Sequence, residues 1–224
     1  MTLPAKPFYM IRHGETEHNK ARILAGGIID SQLTQAGRDK PKKLAPHLST
    51  LEKSLSKIFH SSMTRARDTA IYLNEILGVD MEEVHDLREQ EFGEWEGKPS
   101  SELKFSKDME PPGGENVPQF KQRAQDALTY CLDNTPEGEI PLVVCHGGFF
   151  FAMGVMYDIY EAMSVVENSQ LYLFEPDEEH PYFPWKVTQF VVDEEKLKPV
   201  CASFCSAQLP PVNPYLPQPP ELTL

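Results

Sequence analysis

The sequence predicts an α/β fold, a sheet covered by helices on both faces. Short apolar runs alternate with segments of helical spacing, the pattern of layered α/β domains. Two of the runs, Pro7 to Arg12 and Ile140 to Cys145, stop at the same signal, His13-Gly14 and His146-Gly147. The second run is continuously apolar, as suits a strand buried on both faces.

In chain order, Pro7 to Arg12 reads as a buried strand that delivers His13 at its C-terminal end. Thr34 to Leu48 is helical in composition but holds Pro41 and Pro46, and a proline in a helix interior costs about 3 kcal/mol. A kink or a late start near Asp39 is therefore expected. Leu55 to His60 is a second strand. Ser62 then caps a helix from Met63 to Leu77, whose apolar face is Ala66, Ala70, Leu73, Ile76 and Leu77, and Gly78 ends it. Gly97 to Pro118, rich in proline and glycine, is too long for a passive connector and is expected to shape or cover a site.

Helical spacing returns from Val117 to Asp133, with Phe120, Ala124, Ala127, Leu128 and Cys131 on one side. After Ile140 to Cys145 an apolar helix follows from Phe149. Phe149, Phe150 and Phe151 read as its buried face in preference to an apolar wall of a site. Leu171 to Phe174 and Trp185 to Val192 close the domain as strands, the latter alternating as an edge strand does. Residues 1–198 thus read as one domain. Residues 199–224, with seven prolines and the anchors Phe204, Leu209, Tyr215 and Leu216, read as a tail packed along it.

Composition sets outer bounds. The 224 residues carry 21 Lys and Arg against 34 Asp and Glu, a net charge of −13. That lacks the basic footprint of a nucleic-acid binder and argues against an anionic membrane surface, while leaving room for a local arginine pocket. No apolar run is long enough to span a bilayer and the first residues lack a secretory signal, so a cytoplasmic protein is expected. Cys131, Cys145, Cys201 and Cys205 show no zinc spacing and read as reduced thiols.

Taken singly, the polar residues near the strand ends are ordinary. A histidine after a strand is usually structural, an arginine opening a helix is usually solvated, Asn19 suits a turn, and Glu89 is one acid of 34. The conjunction is not ordinary. Ligands of open α/β sheets gather beyond the carboxyl ends of the strands, where His13 and His146 meet and where Arg65, after the strand ending at His60, joins them. Two histidines, Arg12, Arg65 and helix-start amides make a site for a dianion such as phosphate.

Ile11 to Asn19 (IRHGETEHN) resembles the signature of the histidine phosphatase superfamily, the phosphoglycerate mutase-like proteins. The resemblance continues in order through Leu33 to Gly37 (LTQAG), Ser61 to Ala70 (SSMTRARDTA), Leu87 to Gly97 (LREQEFGEWEG), Pro112 to Glu115 (PGGE) and Val144 to Gly148. It covers residues 7 to 192 and implies a three-layer α/β/α sandwich with a mostly parallel central sheet. It also implies that His13 is the nucleophile carrying a phosphohistidine, and that Arg12, Arg65 and His146 clamp the phosphoryl oxygens. Asn19, Thr16 and the Gly147 amide assist in substrate binding, and Glu89 is the proton donor of this first branch. The second branch's HD motif is missing, because Gly147 follows His146.

The chemistry these residue types allow agrees. A partly neutral imidazole attacks phosphorus without a strong base, forked guanidinium donors stabilise three equatorial oxygens, and a carboxylic acid protonates the leaving alkoxide. No cofactor or metal is expected. Mutase-type relatives insert a longer stretch between the acid and the second histidine, whereas here 57 positions separate Glu89 from His146. The expectation is a metal-independent phosphomonoesterase acting on a small phosphorylated metabolite. The alternatives are a mutase-type phosphoryl transferase and a non-catalytic phosphate-binding domain. The loops at 20–32 and 97–118 are expected to set specificity. A homodimer is compatible with the sequence, the tail supplying its contact.

Overall fold

The computed structural model describes residues 3–159, 163, 166–177, 183–193 and 196–201. Its sheet has seven strands: β1 (Phe8–Arg12), β2 (Lys57–Ser61), β3 (Asp80–Val84), β4 (Pro141–Cys145), β5 (Leu171–Pro176), β6 (Trp185–Asp193) and β7 (Lys196–Cys201). They lie in the order β3-β2-β4-β1-β5-β6-β7. The neighbours β3, β2, β4 and β1 pair in parallel, and β5, β6 and β7 add on antiparallel. Five strands therefore run one way, which is the mostly parallel sheet expected. Helices α1 (Glu17–Ala21), α2 (Gln35–Leu48), α3 (Thr64–Leu77), α4 (Val117–Asp133) and α5 (Gly147–Met156) connect them.

Alternation along the strands builds two cores. Phe8, Met10, Phe59, Val143 and Cys145 point to one face and pack with Phe120, Ala124 and Leu128 of α4 and Phe149, Phe150 and Met153 of α5. Tyr9, Ile11, Ile58, Leu142 and Val144 point to the other and meet Leu44 and Leu48 of α2 and Ala66, Ala70 and Leu73 of α3. Burial of apolar surface on both faces, at about 25 cal/mol per Å², holds the layers together.

Several expectations change. Helix α2 starts at Gln35, not near Asp39, and carries Pro41 and Pro46 inside it. Its start is fixed by Thr34, whose side chain accepts the Gly37 N–H at 2.9 Å. Pro41 removes the N–H that would have met the Gly37 carbonyl, and that oxygen instead lies against Gly14, 2.2 Å from where a Cβ would stand. Ser62 does not cap α3. Met63 is its N-cap, without a side-chain bond, and Asp30 from a distant loop accepts the Thr64 N–H at 2.6 Å. Ile76 is 56% exposed and so leaves the predicted apolar face. Helix α5 begins at Gly147, two residues before Phe149.

Strand β3 (DMEEV) escaped prediction because an acidic edge strand has no apolar signature. Strand β6 is not an edge, since β7 pairs outside it with Pro199 opposite Phe190. A proline in an outermost strand is tolerated because one of its sides needs no ladder bond. Pro199–Cys201, read as the start of the tail, thus lie in the sheet. The packing of the rest of the tail, its dimer contact and Cys205 lie outside the described residues. Among the described residues no helix is long and apolar enough to cross a membrane.

Candidate active site

Parallel pairing of β1 with β4 sets Arg12 opposite Cys145, and the ladder runs one bond further, from the His13 N–H to the Cys145 carbonyl at 3.0 Å. The next side chains on the two strands are His13 and His146, with ring centroids 5.1 Å apart. Strand β2 flanks β4 on its other side, so Ser61 Oγ comes within 2.9 Å of His146 Nε2. The first turn of α3 then presents Arg65. His13, His146 and Arg65 are all buried, at 3%, 0% and 2% exposure.

His13 Nδ1 lies 2.7 Å from the Gly14 carbonyl. A carbonyl only accepts, so Nδ1 carries the proton and Nε2 keeps its lone pair. Burial first, then the charges of Arg65 and Arg12, push the His13 pKa well below its ordinary value, against the smaller effect of the Gly14 bond. Burial and the charges of Arg65, His13, Arg12 and Arg123 do the same to His146. Both rings are neutral near pH 7.

Arg12 donates through Nη1 to the Val166 carbonyl at 2.7 Å, while its Nε is buried without a partner. His146 Nδ1 is likewise buried and unpartnered. Buried polar atoms are nearly always satisfied in proteins, so such orphans at one strand edge point to a ligand that satisfies them. A Cβ on Gly147 would stand 3.5 Å from Arg12 Nε, which puts that nitrogen at the start of α5.

Arg65 is held by the loop at 26–30. Nη2 donates to the Gly26 carbonyl at 2.7 Å, and Nη1 to the Ile29 carbonyl at 3.1 Å and Asp30 at 3.3 Å. Glu96 holds that loop in turn. Its carboxylate accepts the N–H groups of Gly27, Ile28, Ile29 and Phe92 at 2.7 to 3.2 Å. For both arginines burial lowers the pKa, and the Glu89 charge opposes it.

Glu89 faces this cluster. Both of its oxygens accept the Gly148 N–H, and Oε1 also accepts the Gln90 N–H. Arg123 fixes the backbone on either side, donating to the carbonyls of Asp86, Arg88 and Glu89 at 2.7, 2.8 and 3.1 Å. Glu115, the acid of the PGGE segment, orients Arg123 through two bonds of 2.6 and 2.7 Å. That fork–fork geometry is the most directional ion pair available.

Of the eight predicted residues, Arg12, Glu89 and Gly147 line one cleft, and His13 and His146, in ring contact with each other, both feel the charges of Arg12 and Arg65. Asn19 lies at the side of the cleft, where its Oδ1 accepts from the Thr16 N–H and from Asn168 Nδ2, each at 3.2 Å. Thr16 is fully buried and its hydroxyl accepts the Asn19 N–H, completing a capping box on α1. Its side chain thus positions Asn19. Sequence reasoning missed Asn168, which also donates to the His13 carbonyl at 2.9 Å, and Asp30 and Glu96, which act on Arg65. Asn168 stands in no recognisable motif. Glu96 lay inside the quoted WEG stretch, but its task appears only when two loops meet. Cys145 is fully buried, and burial pushes its thiol well above the ordinary range, so it is inert as a nucleophile.

The cleft beside Arg12 has a volume of about 630 Å³ and is lined by Glu89, Gly147 and Gly148 together with Leu24, Phe92, Phe105, Met109 and Phe151. Phe149 and Phe150 are wholly buried, so only Phe151 of the triple reaches it. Among the described residues no group of His, Cys, Asp and Glu is placed to hold a metal ion.

Known proteins resemble this arrangement in sequence and in fold. Over 133 residues the chain is 35% identical to a fructose-2,6-bisphosphatase TIGAR from Xenopus tropicalis, covering 54% of this chain and 48% of that one. The chain thus spans about half the length of that relative. It is 32% identical over 151 residues to a probable phosphoglycerate mutase GpmB from an Enterobacter species, covering 62% and 68% of the two chains. The solved structure of Bacillus stearothermophilus YhfR superposes with a TM-score of 0.63 at 27% identity, covering 88% of this chain and 96% of that one. The family model of the histidine phosphatase superfamily, branch 1, matches residues 8–183, and the chain belongs to that family.

Proposed function

We propose that this chain is a phosphomonoesterase that acts on a small phosphorylated metabolite through a phosphohistidine at His13. The observation that carries the reading is a neutral His13 with its proton fixed on Nδ1, set beside Arg65 and the unpartnered Nε of Arg12. The lone pair of Nε2 attacks phosphorus and the P–O ester bond breaks. The departing alkoxide takes a proton from Glu89. Water then attacks the P–N bond, Glu89 takes the proton back, and inorganic phosphate leaves.

Arg12, Arg65 and His146 stabilise the charge spread over the equatorial oxygens, which is where phosphoryl transfer gains most from fixed donors. Asn19 and the Gly147 amide add donors at the rim. None of these steps draws on a metal. A mutase must shelter the phosphohistidine from water until a second acceptor position arrives. Among the described residues the stretch between Glu89 and His146 offers one loop, 97–116, to cover the cleft, and Phe105 on it is 48% exposed. That favours hydrolysis over transfer, and the presence of His13 and Glu89 together favours an enzyme over a binding domain.

The test is phosphate release from p-nitrophenyl phosphate with a chelator present, for wild type and His13→Ala. Turnover by the wild type, reduced about 10⁴-fold or more in the variant as for the loss of a nucleophile, is the expected result. Turnover that survives the substitution overturns the reading.

A further inference from the structure

Two lobes of different chemistry meet at Arg12. One is lined by Asn19, Arg22, Ser100, Ser101 and Asn168 and is polar. The other is the cleft that holds Glu89, Gly147 and Gly148. Its remaining wall is mainly apolar, with Gln90, Ser100 and Ser106 as neutral polar members, and among the described residues Arg12 and Glu89 are its sole ionisable members.

This apolar wall is a built surface. Phe92, Met109 and Val117 form a small core of their own, with Leu24, Trp95 and Phe151 packed against it. Phe105 stands edge-on to Phe92 and to Trp95, at centroid distances of 5.9 and 6.3 Å, and keeps 48% of its surface open.

The position of Glu89 decides which lobe receives the alcohol. A proton donor must stand within hydrogen-bond reach of the oxygen that leaves, and Glu89 lines the apolar lobe but not the polar one. The ester oxygen and the carbon skeleton behind it therefore extend toward Phe105, Met109 and Phe151. A second phosphate or a carboxylate placed there would lose its water beside aromatic faces and meet no cation but Arg12, which is engaged by the first phosphoryl group. An aromatic or branched apolar group would instead be buried against side chains already in place.

Resting on the phosphomonoesterase reading, we propose that the substrate is the phosphate monoester of an aromatic or bulky apolar alcohol, selected by Phe105, Met109 and Phe151. This is a different chemical class from the bisphosphate and phosphoglycerate in the names of the two curated relatives.

The experiment compares kcat/KM for benzyl phosphate, glycerol 3-phosphate and 3-phosphoglycerate. All three leave as alkoxides of similar basicity, so the ratios report the lobe and not the chemistry of the leaving group. Benzyl phosphate is expected to lead by about tenfold or more, the scale on which apolar pockets discriminate. Phe105→Ala should shrink that lead about fivefold to tenfold, and Phe105→Leu should restore most of it. Equal or better turnover of the two polar esters, or an unchanged lead in Phe105→Ala, overturns the proposal.

Should no ester, p-nitrophenyl phosphate included, be hydrolysed, the phosphomonoesterase reading fails. The lobe is then judged by calorimetric titration with benzylphosphonate and 3,4-dihydroxybutylphosphonate. Tighter binding of the benzyl compound supports the apolar assignment, and equal or weaker binding overturns it.

Discussion

The Glu89 carboxylate accepts the Gly148 backbone N–H through both of its oxygens, at 3.1 and 3.2 Å. One contact thereby joins the loop that carries the candidate acid to the helix that follows His146. A Cβ on Gly148 would stand 2.0 Å from Glu89 Oε1, so the glycine is what allows the carboxylate to approach.

Glu89→Gln keeps the shape and removes the proton. For alkyl phosphates the expected loss in kcat is about 10²- to 10⁴-fold, the usual worth of a general acid. With p-nitrophenyl phosphate, whose leaving group needs no proton, the variant should release about one equivalent of nitrophenolate in a burst and then turn over slowly, because the same carboxylate serves as base in the second step. Gly148→Ala should fold, since the nearest obstruction is the end of a flexible side chain and the Phe120 ring, 3.0 Å away, need give only a few tenths of an ångström, and it should lose activity by pushing the Glu89 carboxylate aside. Stopped-flow absorbance and thermal melts check both.

The orphaned Arg12 Nε and His146 Nδ1 predict that inorganic phosphate stabilises the protein in the absence of any substrate. At about 100 times its Kd the gain is about 2.7 kcal/mol, read as a rise in Tm. In Arg12→Lys, which lacks both the Nε donor and the planar fork, the rise should largely vanish while the melt without phosphate moves little. An equal rise in the variant would show that phosphate binds elsewhere.

Both candidate-site histidines have a folded pKa well below the ordinary value, with burial as the first cause. An unfolded histidine binds its proton near pH 6.5. Below that pH the unfolded state therefore holds more protons than the folded one, and stability falls as pH falls. It is fully present above about 6.5, and each histidine removes about 1.4 kcal/mol per pH unit below it until its folded pKa is reached. Urea denaturation between pH 7.5 and 5 should show the slope, and His146→Gln should make it shallower. An unchanged slope in that variant would place the effect in other groups.

Legibility followed the physics of each segment. Helix α4 is legible because Phe120, Ala124, Ala127, Leu128 and Cys131 make a clean apolar face, and in the structure a capping box at Asn116 and a proline in the first turn fix where it starts. The two strand-end histidines were readable because apolar runs that stop at His-Gly announce their own ends. Helix α2 runs through Pro41 and Pro46 against their propensity because its buried face, with Leu44, Ala45 and Leu48, packs in the core, and spacing along the chain does not show that packing. Strand β3 has no apolar signature because three of its five residues are acidic and only Met81 and Val84 reach the cores. Most of the candidate site's reactive groups lie in local motifs, but the groups that aim them, such as Asp30, Asn168 and Arg123, act across 34 to 155 positions of chain. Local spacing carries no trace of those contacts.

Gly14 and Gly37 touch where the histidine-bearing loop meets the start of α2. A Cβ on Gly14 would lie 2.2 Å from the Gly37 carbonyl, and one on Gly37 would lie 2.0 Å from the Glu15 carbonyl. Both obstacles are backbone, in contrast to the one at Gly148. Gly37→Ala is expected to cost about 3 kcal/mol or more, the upper end of overpacking, and to lower the urea midpoint at unchanged slope. The same substitution at Gly78, where no atom stands within 4 Å of a Cβ, carries only the strain of its positive φ of 61°, and should cost about 1 to 2 kcal/mol. The difference between the two separates close approach from backbone conformation.

Glu96 controls Arg65 at one remove. Its carboxylate gathers four backbone N–H groups from two loops, and the carbonyls of the first loop grip the guanidinium. In Glu96→Gln an amide nitrogen replaces one acceptor oxygen, so donors face a donor and the loop at 26–30 loses its anchor. The charge-assisted bonds at stake are worth about 1.5 to 3 kcal/mol each in comparable settings. The expected result is a fall in kcat/KM of about tenfold to a hundredfold from a slackened Arg65, the scale on which a misplacement of about 1 Å acts. Stability should fall as well. A merely structural role would lower Tm and leave the kinetics of the surviving folded enzyme intact at low temperature. A positioning role leaves the defect in kcat/KM at 10 °C, where the variant is fully folded, and Glu96→Asp, which keeps the charge on a shorter arm, should recover part of it. Kinetics of the three proteins at that temperature decide between the two.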